Sequence, residues 1–388
     1  MSSVSPVVEL AVSAARLPPA EALEELAAQC RLLGVQSMDL YGDVARDPAD
    51  SWLRRFELEV TACLGVEEAV FMPSGVMAQS IVLAVHGGEQ PAQRSFICHH
   101  SSHILLHEEK GYSDLVRMTP VVIPREEGAL VQPPITYAAM APLLAASPSP
   151  ACAIVECPHR EIGGKLTPWE DLVQISAECR RRGVPLHMDG ARLWEAAGGY
   201  GRPLAEVCAL FDSVYVSLYK GLGGLAGAML LGTKDFIAQA RIWQRRFGGV
   251  LHTQLPLAVS CWAGFRAHRD SFGARLERLQ QVARVVTEVA AEDAAACGGS
   301  VLVRFDPPVP EVSMVHYYLR CSPGAAAAAK ATAAQECGVA CFTRLRGAGD
   351  DECYTEFNMG PLNSAVSDDV WREGWRCFLR HLRVQLTA

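Results

Sequence analysis

The sequence has no excess of basic residues. Lysine and arginine together number 35, against 43 aspartates and glutamates, so the net charge is −8 and the isoelectric point is about 5.8. Proteins that bind nucleic acid usually carry a clustered basic face. The composition therefore argues against a nucleic-acid partner and favours a small-molecule ligand.

The cysteines lack the spacing of a disulfide framework or a structural zinc site. All fourteen are scattered between Cys30 and Cys377 without a CxxC pair, and this pattern is typical of reduced thiols in a protein core. We therefore predict a cytoplasmic protein that holds no metal.

Long apolar runs are also missing. The longest, GLGGLAGAMLLG at 221–232, is well short of the roughly 20 residues that cross a bilayer. Residues 1–26 lack the basic start and compact apolar stretch of a secretory signal. We expect neither a membrane span nor a signal peptide.

What the sequence does contain is an alternation of short apolar runs with amphipathic helical patterns. This alternation is typical of α/β proteins in which helices cover a parallel sheet. The predicted strands are 69–72, 95–98, 120–123, 151–157, 185–188, 213–218 and 228–231. The predicted helices are 18–34, 52–65, 76–86, 169–182 and 203–209.

A chain of 388 residues, half of them hydrophobic, can form two or three domains. We predict an N-terminal helical segment at 1–42, a large α/β domain at 43–262 and a small α+β domain at 263–388. For the small domain the sequence predicts a long helix at 266–296, strands at VLVRF and MVHYYLR, an alanine-rich helix at GAAAAAKATAAQE and a last helix at 369–386.

Residues 184–201, VPLHMDGARLWEAAGGYG, place Asp189 and Arg192 where a predicted strand gives way to a loop. One interpretation is that Asp189 caps a helix beginning at Gly190, because an aspartate there accepts hydrogen bonds from the first free N–H groups of a helix. The other is that its carboxylate faces a ligand.

A second strand end carries a lysine. In SVYVSLYKGLGG, residues 213–224, Lys220 is followed at once by glycines that allow the backbone to approach a ligand closely. A lysine at a strand end is usually a solvated edge residue, but desolvation would lower its pKa and make the amine nucleophilic. Ligands of open α/β sheets bind at the carboxyl ends of strands, so Lys220 and Asp189 could meet the same ligand.

A third stretch, MPSGVMAQ at 72–79, places Ser74 and Gly75 where a strand ends and a helix opens. On its own this is an ordinary turn and cap, but the N–H groups of a helix N-terminus can also hold a phosphate. A phosphate cradle, a lysine for an aldehyde and a carboxylate for a pyridine nitrogen are together what a pyridoxal phosphate (PLP) site requires.

The order PSGVMAQ, SSHILLHEE, HMDGAR, SLYKGLGG resembles the threonine aldolase/β-eliminating lyase family of fold-type I PLP enzymes, from about Tyr41 to His252. The resemblance implies an aspartate aminotransferase-like large domain and a homodimer or homotetramer. It implies bonding of the cofactor aldehyde by Lys220, contact of Asp189 with the pyridine nitrogen and stacking of His103 on the ring. The remaining cofactor-binding residues that it implies are Ser74, Gly75, Val76 and Arg192. The substrate-binding residues that we predict are Arg192, Glu108, Tyr41 and Arg344.

Two histidine motifs bear on catalysis. His99, His103 and His107 follow a spacing of four, which on a helix could bind a metal, but the match of SHI to the family's ring-stacking histidine outweighs this. His159, in VECPHREIGGKL, matches a family histidine near the substrate hydroxyl and is a candidate base. The alternative is a loop histidine bonded to the backbone.

Some positions depart from the family pattern. Val76 stands where a phosphate-binding threonine is common, and Tyr219 replaces a small residue before the lysine. Glu356 stands where aldolases tend to have a carboxylate-binding arginine, so we expect Arg344 or Arg346 to replace that arginine, or the substrate to differ from threonine.

These features predict a PLP-dependent aldehyde-lyase that cleaves a threonine-like β-hydroxy-α-amino acid to glycine and an aldehyde. The alternatives are PLP-dependent β-elimination or transamination, and a cofactor-free or nucleotide-binding α/β protein in which Lys220 and Ser74 hold a phosphate.

Overall fold

The computed structural model describes residues 7–15, 17–42, 50–88, 94–127, 131–349 and 351–387. The chain divides into two compact units. The larger consists of residues 17–162 and 166–270, and the smaller of residues 1–16, 163–165 and 271–388, each within the described ranges. Residue 43, where the sequence places a domain boundary, lies outside the described residues.

The strands and helices are numbered here in chain order. The strands are β1 Val8–Glu9, β2 Glu68–Met72, β3 Ser95–His99, β4 Thr119–Ile123, β5 Cys152–Glu156, β6 Leu186–Gly190, β7 Ser213–Ser217, β8 Ala228–Gly232, β9 Val303–Asp306, β10 Met314–Leu319, β11 Val339–Ala340, β12 Arg346–Gly347 and β13 Cys353–Asn358. The α-helices are α1 Pro19–Leu32, α2 Trp52–Leu64, α3 Gly75–Gly87, α4 His103–Leu106, α5 Gly111–Asp114, α6 Tyr137–Leu144, α7 Trp169–Arg182, α8 Leu204–Cys208, α9 Lys234–Arg246, α10 Leu255–His268, α11 Phe272–Cys297, α12 Pro323–Cys337, α13 Pro361–Ser364 and α14 Asp368–Thr387. Within the described residues, short 3₁₀ helices span Arg160–Ile162 and Leu193–Gly198.

A seven-stranded sheet in the order β2-β8-β7-β6-β5-β3-β4 forms the centre of the larger unit. The prediction of a purely parallel sheet is wrong in one respect, since β8 runs antiparallel to both of its neighbours. Strands β5 to β7 are buried on both faces, which explains their unbroken apolar character. Because β3, β5, β6 and β7 are parallel, their carboxyl ends lie along one edge of the sheet.

Helix α3 covers one face of this sheet, and its sequence explains its ends. The Ser74 hydroxyl caps its first turn by accepting a hydrogen bond from the Met77 amide at 3.2 Å. Apolar side chains of α3 and α9 pack with strand residues in a cluster that includes Ile81, Tyr215 and Ile237. The N-terminus of α3 is thereby held close to the ends of the central strands.

The smaller unit has its own core. Its antiparallel sheet has the order β12-β13-β10-β9, and β1 pairs with β11 in parallel. Helices α11 and α14 bury tryptophan, phenylalanine and branched aliphatic side chains with this sheet, among them Tyr317, Trp371, Trp375 and Phe378. The predicted helix at 266–296 is divided in the structure, because α10 ends at His268 and α11 begins at Phe272.

No helix within the described residues is long and apolar enough to cross a membrane.

Candidate active site

Polar side chains gather at the carboxyl ends of the central strands. Glu156 ends β5, Asp189 lies one residue before the end of β6, and Ser217 ends β7. Glu156 is opposite Asp189 in the β5–β6 ladder, and Asp189 is opposite Tyr215 in the β6–β7 ladder. All four side chains are nearly inaccessible to solvent, so their polar groups depend on one another or on a ligand.

Asp189 does not cap an α-helix. Its Oδ1 accepts a hydrogen bond from the Ala191 amide at 3.1 Å, but the next helix is the 3₁₀ helix that begins at Leu193 and has no side-chain cap. Burial and the nearby Glu156 carboxyl raise the pKa of Asp189, while His103 and Lys220 act in the opposite direction. A buried carboxyl group with cationic neighbours suits an ion pair with a protonated ring nitrogen better than a structural cap.

Lys220 lies three residues beyond β7, in the turn that leads to β8. Burial, together with the positive charge of Arg192, lowers the pKa of its amine to about 8. The Gly223 amide donates to the Lys220 carbonyl at 3.0 Å. A Cβ on Gly224 would lie 2.8 Å from the Leu218 carbonyl oxygen, so this tight turn requires glycine there. The turn thus holds a lysine whose amine is more nucleophilic than that of an exposed lysine.

Three hydroxyl groups and a helix N-terminus form a cradle beside this lysine turn. A Cβ on Gly75 would lie 1.9 Å from the Tyr215 hydroxyl, so that hydroxyl sits directly against the first residue of α3. Ser217 is on the same face of β7 as Tyr215 because side chains alternate along a strand. Ser217 is 3% exposed, and its hydroxyl has the Tyr215 hydroxyl as a neighbour, because a bond between the two side chains lowers the pKa of Tyr215 against the effect of burial. Together with Ser74, these hydroxyls fit a phosphate group at the helix N-terminus.

His103 begins the short helix α4. Its Nδ1 lies 2.9 Å from Oε1 of Glu108, and its backbone amide donates to Oε1 of Glu156 at 2.5 Å. Burial opposes protonation of this imidazole, but Glu108 and the charges of Asp189 and Glu156 raise its pKa overall. Burial raises the pKa of Glu108 in turn. Because an ionised carboxylate only accepts hydrogen bonds, Nδ1 of the ring donates to Glu108 when Glu108 is ionised.

The three histidines of the four-residue spacing do not share a helix. His99 ends β3, His103 opens α4, and His107 follows α4, where its Nε2 lies 2.7 Å from Oε1 of Glu161. The spacing therefore does not present three imidazoles on one helical face. The group of side chains in the described residues that could hold a metal ion is a different one, Glu336, Cys377 and His381, and Arg380 already forms an ion pair with Glu336 there.

His159 is buried and bonded through Ser101. Its Nε2 lies 3.0 Å from the Ser101 hydroxyl, 3.3 Å from the Ser101 carbonyl oxygen and 3.9 Å from Oε2 of Glu156. The Ser101 amide donates to Nδ1 of His99, and the Ser101 hydroxyl lies 2.9 Å from the same nitrogen. The Ser101 proton therefore points to His99, Nε2 of His159 carries hydrogen, and Nδ1 of His159 is the ring nitrogen that can accept a proton.

The remaining predicted residues occupy different places. Arg192 immediately precedes the 3₁₀ helix and lies close enough to Lys220 to lower its pKa. Val76, the second residue of α3, is 44% exposed. Tyr41 lines a separate cavity of about 470 Å³ with Arg241, and no residue described above at the site lines that cavity. Arg344 belongs to the smaller unit, where its carbonyl accepts a bond from Thr355. The roles of these four residues stay predictions.

Sequence reasoning missed several residues of this site. They are Gln79, Ser101, Glu156, His187, Tyr215 and Ser217, and for His99 it missed the bond to Ser101. Glu156, His187 and Ser217 could have been found, because each is a polar residue within or at the end of an apolar run that predicts a strand. For Gln79 and Ser101 there was no such signal, because their partners are distant in sequence.

The donor set fits PLP. The buried Asp189 carboxyl suits the pyridine nitrogen, the Lys220 amine suits the aldehyde, and the Ser217 hydroxyl with the N-terminus of α3 suits the phosphate. The observation that favours a bound anion most directly is the grouping of the Ser217 and Tyr215 hydroxyls against Gly75, the first residue of α3.

Comparisons with known proteins agree with this chemistry. The family model described as β-eliminating lyase matches residues 39–302. An Arabidopsis thaliana protein named probable low-specificity L-threonine aldolase 2 is 30% identical over 236 residues, which are 60% of this chain and 65% of that protein. The low specificity L-threonine aldolase of Escherichia coli is 30% identical over 63% of this chain and 67% of its own length.

Solved structures extend the similarity to nearly the whole chain. A Listeria monocytogenes protein that carries a provisional assignment as an L-allo-threonine aldolase superposes with a TM-score of 0.82 at 29% identity, covering 96% of both chains. Sphingomonas wittichii serine palmitoyltransferase, at 13% identity and a TM-score of 0.66, covers 98% of this chain and 88% of its own and shares the fold. The fold is thus that of PLP-dependent fold-type I enzymes.

Proposed function

Because the chain belongs to the β-eliminating lyase family, we propose that it is a PLP-dependent aldehyde-lyase that cleaves a threonine-like β-hydroxy-α-amino acid to glycine and an aldehyde. The names of its aldolase relatives support this proposal. The observation that carries it is the buried position of His159, whose Nε2 lies 3.0 Å from the Ser101 hydroxyl and 3.9 Å from Oε2 of Glu156, because retro-aldol cleavage requires a base for the β-hydroxyl group.

Four residues would hold the cofactor. When bound, PLP bonds the substrate amine through its aldehyde and accepts the electron pair of the breaking Cα–Cβ bond in its ring. Asp189 would keep the ring nitrogen protonated, and Lys220, with its lowered pKa, would bond the aldehyde before substrate arrives. Ser74 and Ser217 would donate their hydroxyl protons to the phosphate.

His159 would act as the base. Its Nε2–H is held by Ser101, so Nδ1 would accept the proton of the substrate β-hydroxyl. His99 supports this tautomer. Burial and the adjacent His159 and His100 lower the pKa of its imidazole to about 3, so the ring is neutral at neutral pH. Its Nδ1, to which the Ser101 amide donates, is therefore an acceptor. The base is therefore oriented before substrate arrives.

Two further groups would contact the cofactor and the substrate. His103, held by Glu108, would stack on the cofactor ring. Arg192 would contact the cofactor hydroxyl or the substrate carboxylate, for which a planar guanidinium is well suited.

We also propose a homodimer or homotetramer, with active sites at the subunit boundary. Apolar side chains at the larger unit's surface support this, since Leu40 is 50%, Tyr41 58% and Leu251 37% exposed. The Tyr41 amide donates to the His252 carbonyl at 2.9 Å, so these residues form one surface. In such an assembly Tyr41 would reach a partner's substrate. A cytoplasmic location is consistent with fourteen free thiols.

The experiment that tests the function is a product assay. Purified protein is incubated with PLP and L-threonine, then with serine and an aromatic amino acid, and glycine, aldehyde, ammonia and keto acid are quantified. We expect glycine and acetaldehyde in equal amounts. Lys220→Ala should lose turnover and the visible absorption of bound cofactor, whereas Lys234→Ala, a change at an exposed lysine, should retain both. Ammonia or a keto acid in place of glycine would support elimination or transamination.

A further inference from the structure

A chain of hydrogen bonds connects Asp189, at the carboxyl end of the central strands, to Ser213, at the amino end of β7, and to His86 on α3. Nε2 of Gln79, on α3, donates to Oδ2 of Asp189 at 2.6 Å. Oε1 of the same amide lies 2.9 Å from Nε2 of His187. Nδ1 of His187 lies 2.9 Å from the Ser213 hydroxyl, which lies 3.3 Å from Nε2 of His86.

The chain is shielded from water. Gln79 is 1%, His187 0% and Ser213 1% exposed, and Asp189 is 3% exposed. Solvent therefore cannot replace a lost partner, and each of these groups depends on its neighbour for satisfaction.

The chemistry of the groups fixes the direction of every bond. A carboxylate accepts only, so Gln79 presents its NH₂ group to Asp189 and its oxygen to His187. An amide oxygen also accepts only, so Nε2 of His187 must carry hydrogen. In a neutral imidazole Nδ1 is then an acceptor, which takes the Ser213 hydroxyl proton, and Ser213 accepts from Nε2–H of His86. Every donor in the chain thus points towards Asp189.

The protonation states agree with this direction. Burial lowers the pKa of His187 to about 3, with a further contribution from His86 and against the opposing effect of a bond with the Ser213 backbone. Burial lowers the pKa of His86 to about 4, against an opposing effect of Asp212. Both imidazoles are therefore neutral at pH 7, as the chain requires.

Asp189 needs such a donor. Burial and Glu156 favour its protonated form, whereas His103, Lys220 and the Ala191 amide favour its ionised form. The Ala191 amide bonds Oδ1, and Gln79 bonds Oδ2. A hydrogen bond to the charged form of a carboxyl group favours ionisation.

We propose that Gln79 is a positioning residue that keeps Asp189 ionised and aimed at the cofactor, and that His187, Ser213 and His86 lock its amide in the donating orientation. The proposal deepens the proposed function and rests on it, because the cofactor is the partner for which Asp189 is held. His86, near the C-terminus of α3, would thereby act on Asp189 through three intermediate groups.

The first experiment removes the donor. Gln79→Met keeps a side chain of similar length without the amide, and Ser80→Ala changes the next buried residue of α3, which takes no part in the chain. For each full-length variant we measure the Kd of PLP and the ¹⁵N resonance of ring-labelled PLP. We expect the Kd of Gln79→Met to rise about tenfold to hundredfold, as for loss of a buried charge-assisted bond, with a shift of the ¹⁵N resonance towards the unprotonated ring. Ser80→Ala should match wild type in both.

The second experiment tests the lock. Ser213→Ala removes a link that touches neither Asp189 nor the cofactor, and it should raise the Kd about two- to threefold, in keeping with modest cooperativity along a hydrogen-bond chain. His86→Leu should have a similar effect, and His86→Gln, which keeps a donor, should restore the wild-type Kd. If the role of His86 were only structural, the leucine and glutamine variants would bind PLP with equal Kd whenever their thermal stabilities are equal.

The failures of the two proposals can be told apart. If wild-type protein takes up no PLP, the proposed function is overturned. If wild-type protein takes up PLP and the Gln79→Met variant keeps the wild-type Kd and ¹⁵N resonance, the positioning role is overturned. If Gln79→Met does not fold, Ser213→Ala is the variant that decides. Histidine ¹⁵N spectra give an independent answer, because hydrogen on Nδ1 of His187 would contradict the direction of the chain.

Discussion

Glu156 and Asp189 lie directly opposite each other on adjacent parallel strands, and both carboxyl groups are buried. A neighbouring negative charge raises the pKa of a buried carboxyl group, and Glu156 does so for Asp189. His103 and Lys220 offset this repulsion. The site therefore balances two acids against two bases before any ligand enters.

That balance predicts the effect of Glu156→Gln. Removal of the negative charge should lower the pKa of Asp189, because its closest like charge is gone, while the amide oxygen can still accept the bond from the His103 amide. The measurement is a ¹³C titration of aspartate carboxyl groups in both proteins. An Asp189 resonance that titrates at the same pH in both would contradict the electrostatic coupling.

Asp189→Asn should separate an electronic role of this aspartate from a purely structural one. The asparagine oxygen can still accept the bond from the Ala191 amide, so a structural role predicts near-normal activity. Loss of the charge that keeps the ring nitrogen protonated should instead reduce turnover on the order of a thousandfold or more. Turnover and thermal stability are measured together. A folded variant with near-normal turnover would remove Asp189 from the mechanism.

Ser101→Ala should affect the chemical step more than substrate binding. The hydroxyl orients His159 through Nε2–H, so its loss should lower kcat by about fivefold, the effect of one hydrogen bond. KM should change little. Ser101→Thr keeps the hydroxyl and is the matched control. Equal kcat values for the alanine and threonine variants would rule out this orienting role.

Lys220→Met should stabilise the cofactor-free protein near pH 7. The pKa of Lys220 falls from 10.5 in an unfolded chain to about 8 in the folded one. Below pH 8 the lysine is charged in both states, so the folded state bears the full cost of burying the charge. Between pH 8 and 10.5 the unfolded chain binds more protons, so wild-type stability rises with pH.

We therefore expect the methionine variant to be more stable by about 1–3 kcal/mol at pH 7, with an advantage that shrinks by pH 10. The measurement is urea unfolding at both values, with Lys234→Met as the exposed control. A constant difference across this range would argue against a buried charge at Lys220.

Leu251→Glu should weaken self-association. A charge placed on the apolar surface of Leu40, Tyr41 and Leu251 opposes burial of that surface against a second copy. Sedimentation velocity should show a lighter species, with loss of turnover in step. Val173→Glu, on α7, is the control. An active wild-type monomer would contradict both the assembly and the shared active site.

Much of the larger unit follows from local pattern. The predicted strands and helices fall within a residue or two of those observed, because apolar runs and capping residues are local signals. The reversed direction of β8 does not follow, since an apolar run such as AMLLG reads alike in either direction. The break between α10 and α11 was also invisible, because Arg269 and Asp270 fit a helical pattern.

The site was predicted in part. Asp189 and Lys220 could be found because each follows an apolar run, where α/β sheets bind ligands. The alternative in which His99, His103 and His107 share a helical face does not hold, because spacing alone does not reveal that a strand ends at His99. Gln79 and His187 are separated by 108 residues, so only the packing of α3 on the sheet brings them together.

The turn that carries Lys220 joins two adjacent antiparallel strands, β7 and β8, rather than crossing to a parallel neighbour. The Leu218 amide donates to the Gly227 carbonyl at 3.1 Å and so joins the two ends of the turn. Inside the turn, the Gly224 amide donates to the Leu218 carbonyl at 3.0 Å. Residues cannot be inserted or deleted between these hydrogen bonds without moving the lysine. In an evolving lineage this segment should therefore keep its length, while the surface loops around it gain and lose residues freely.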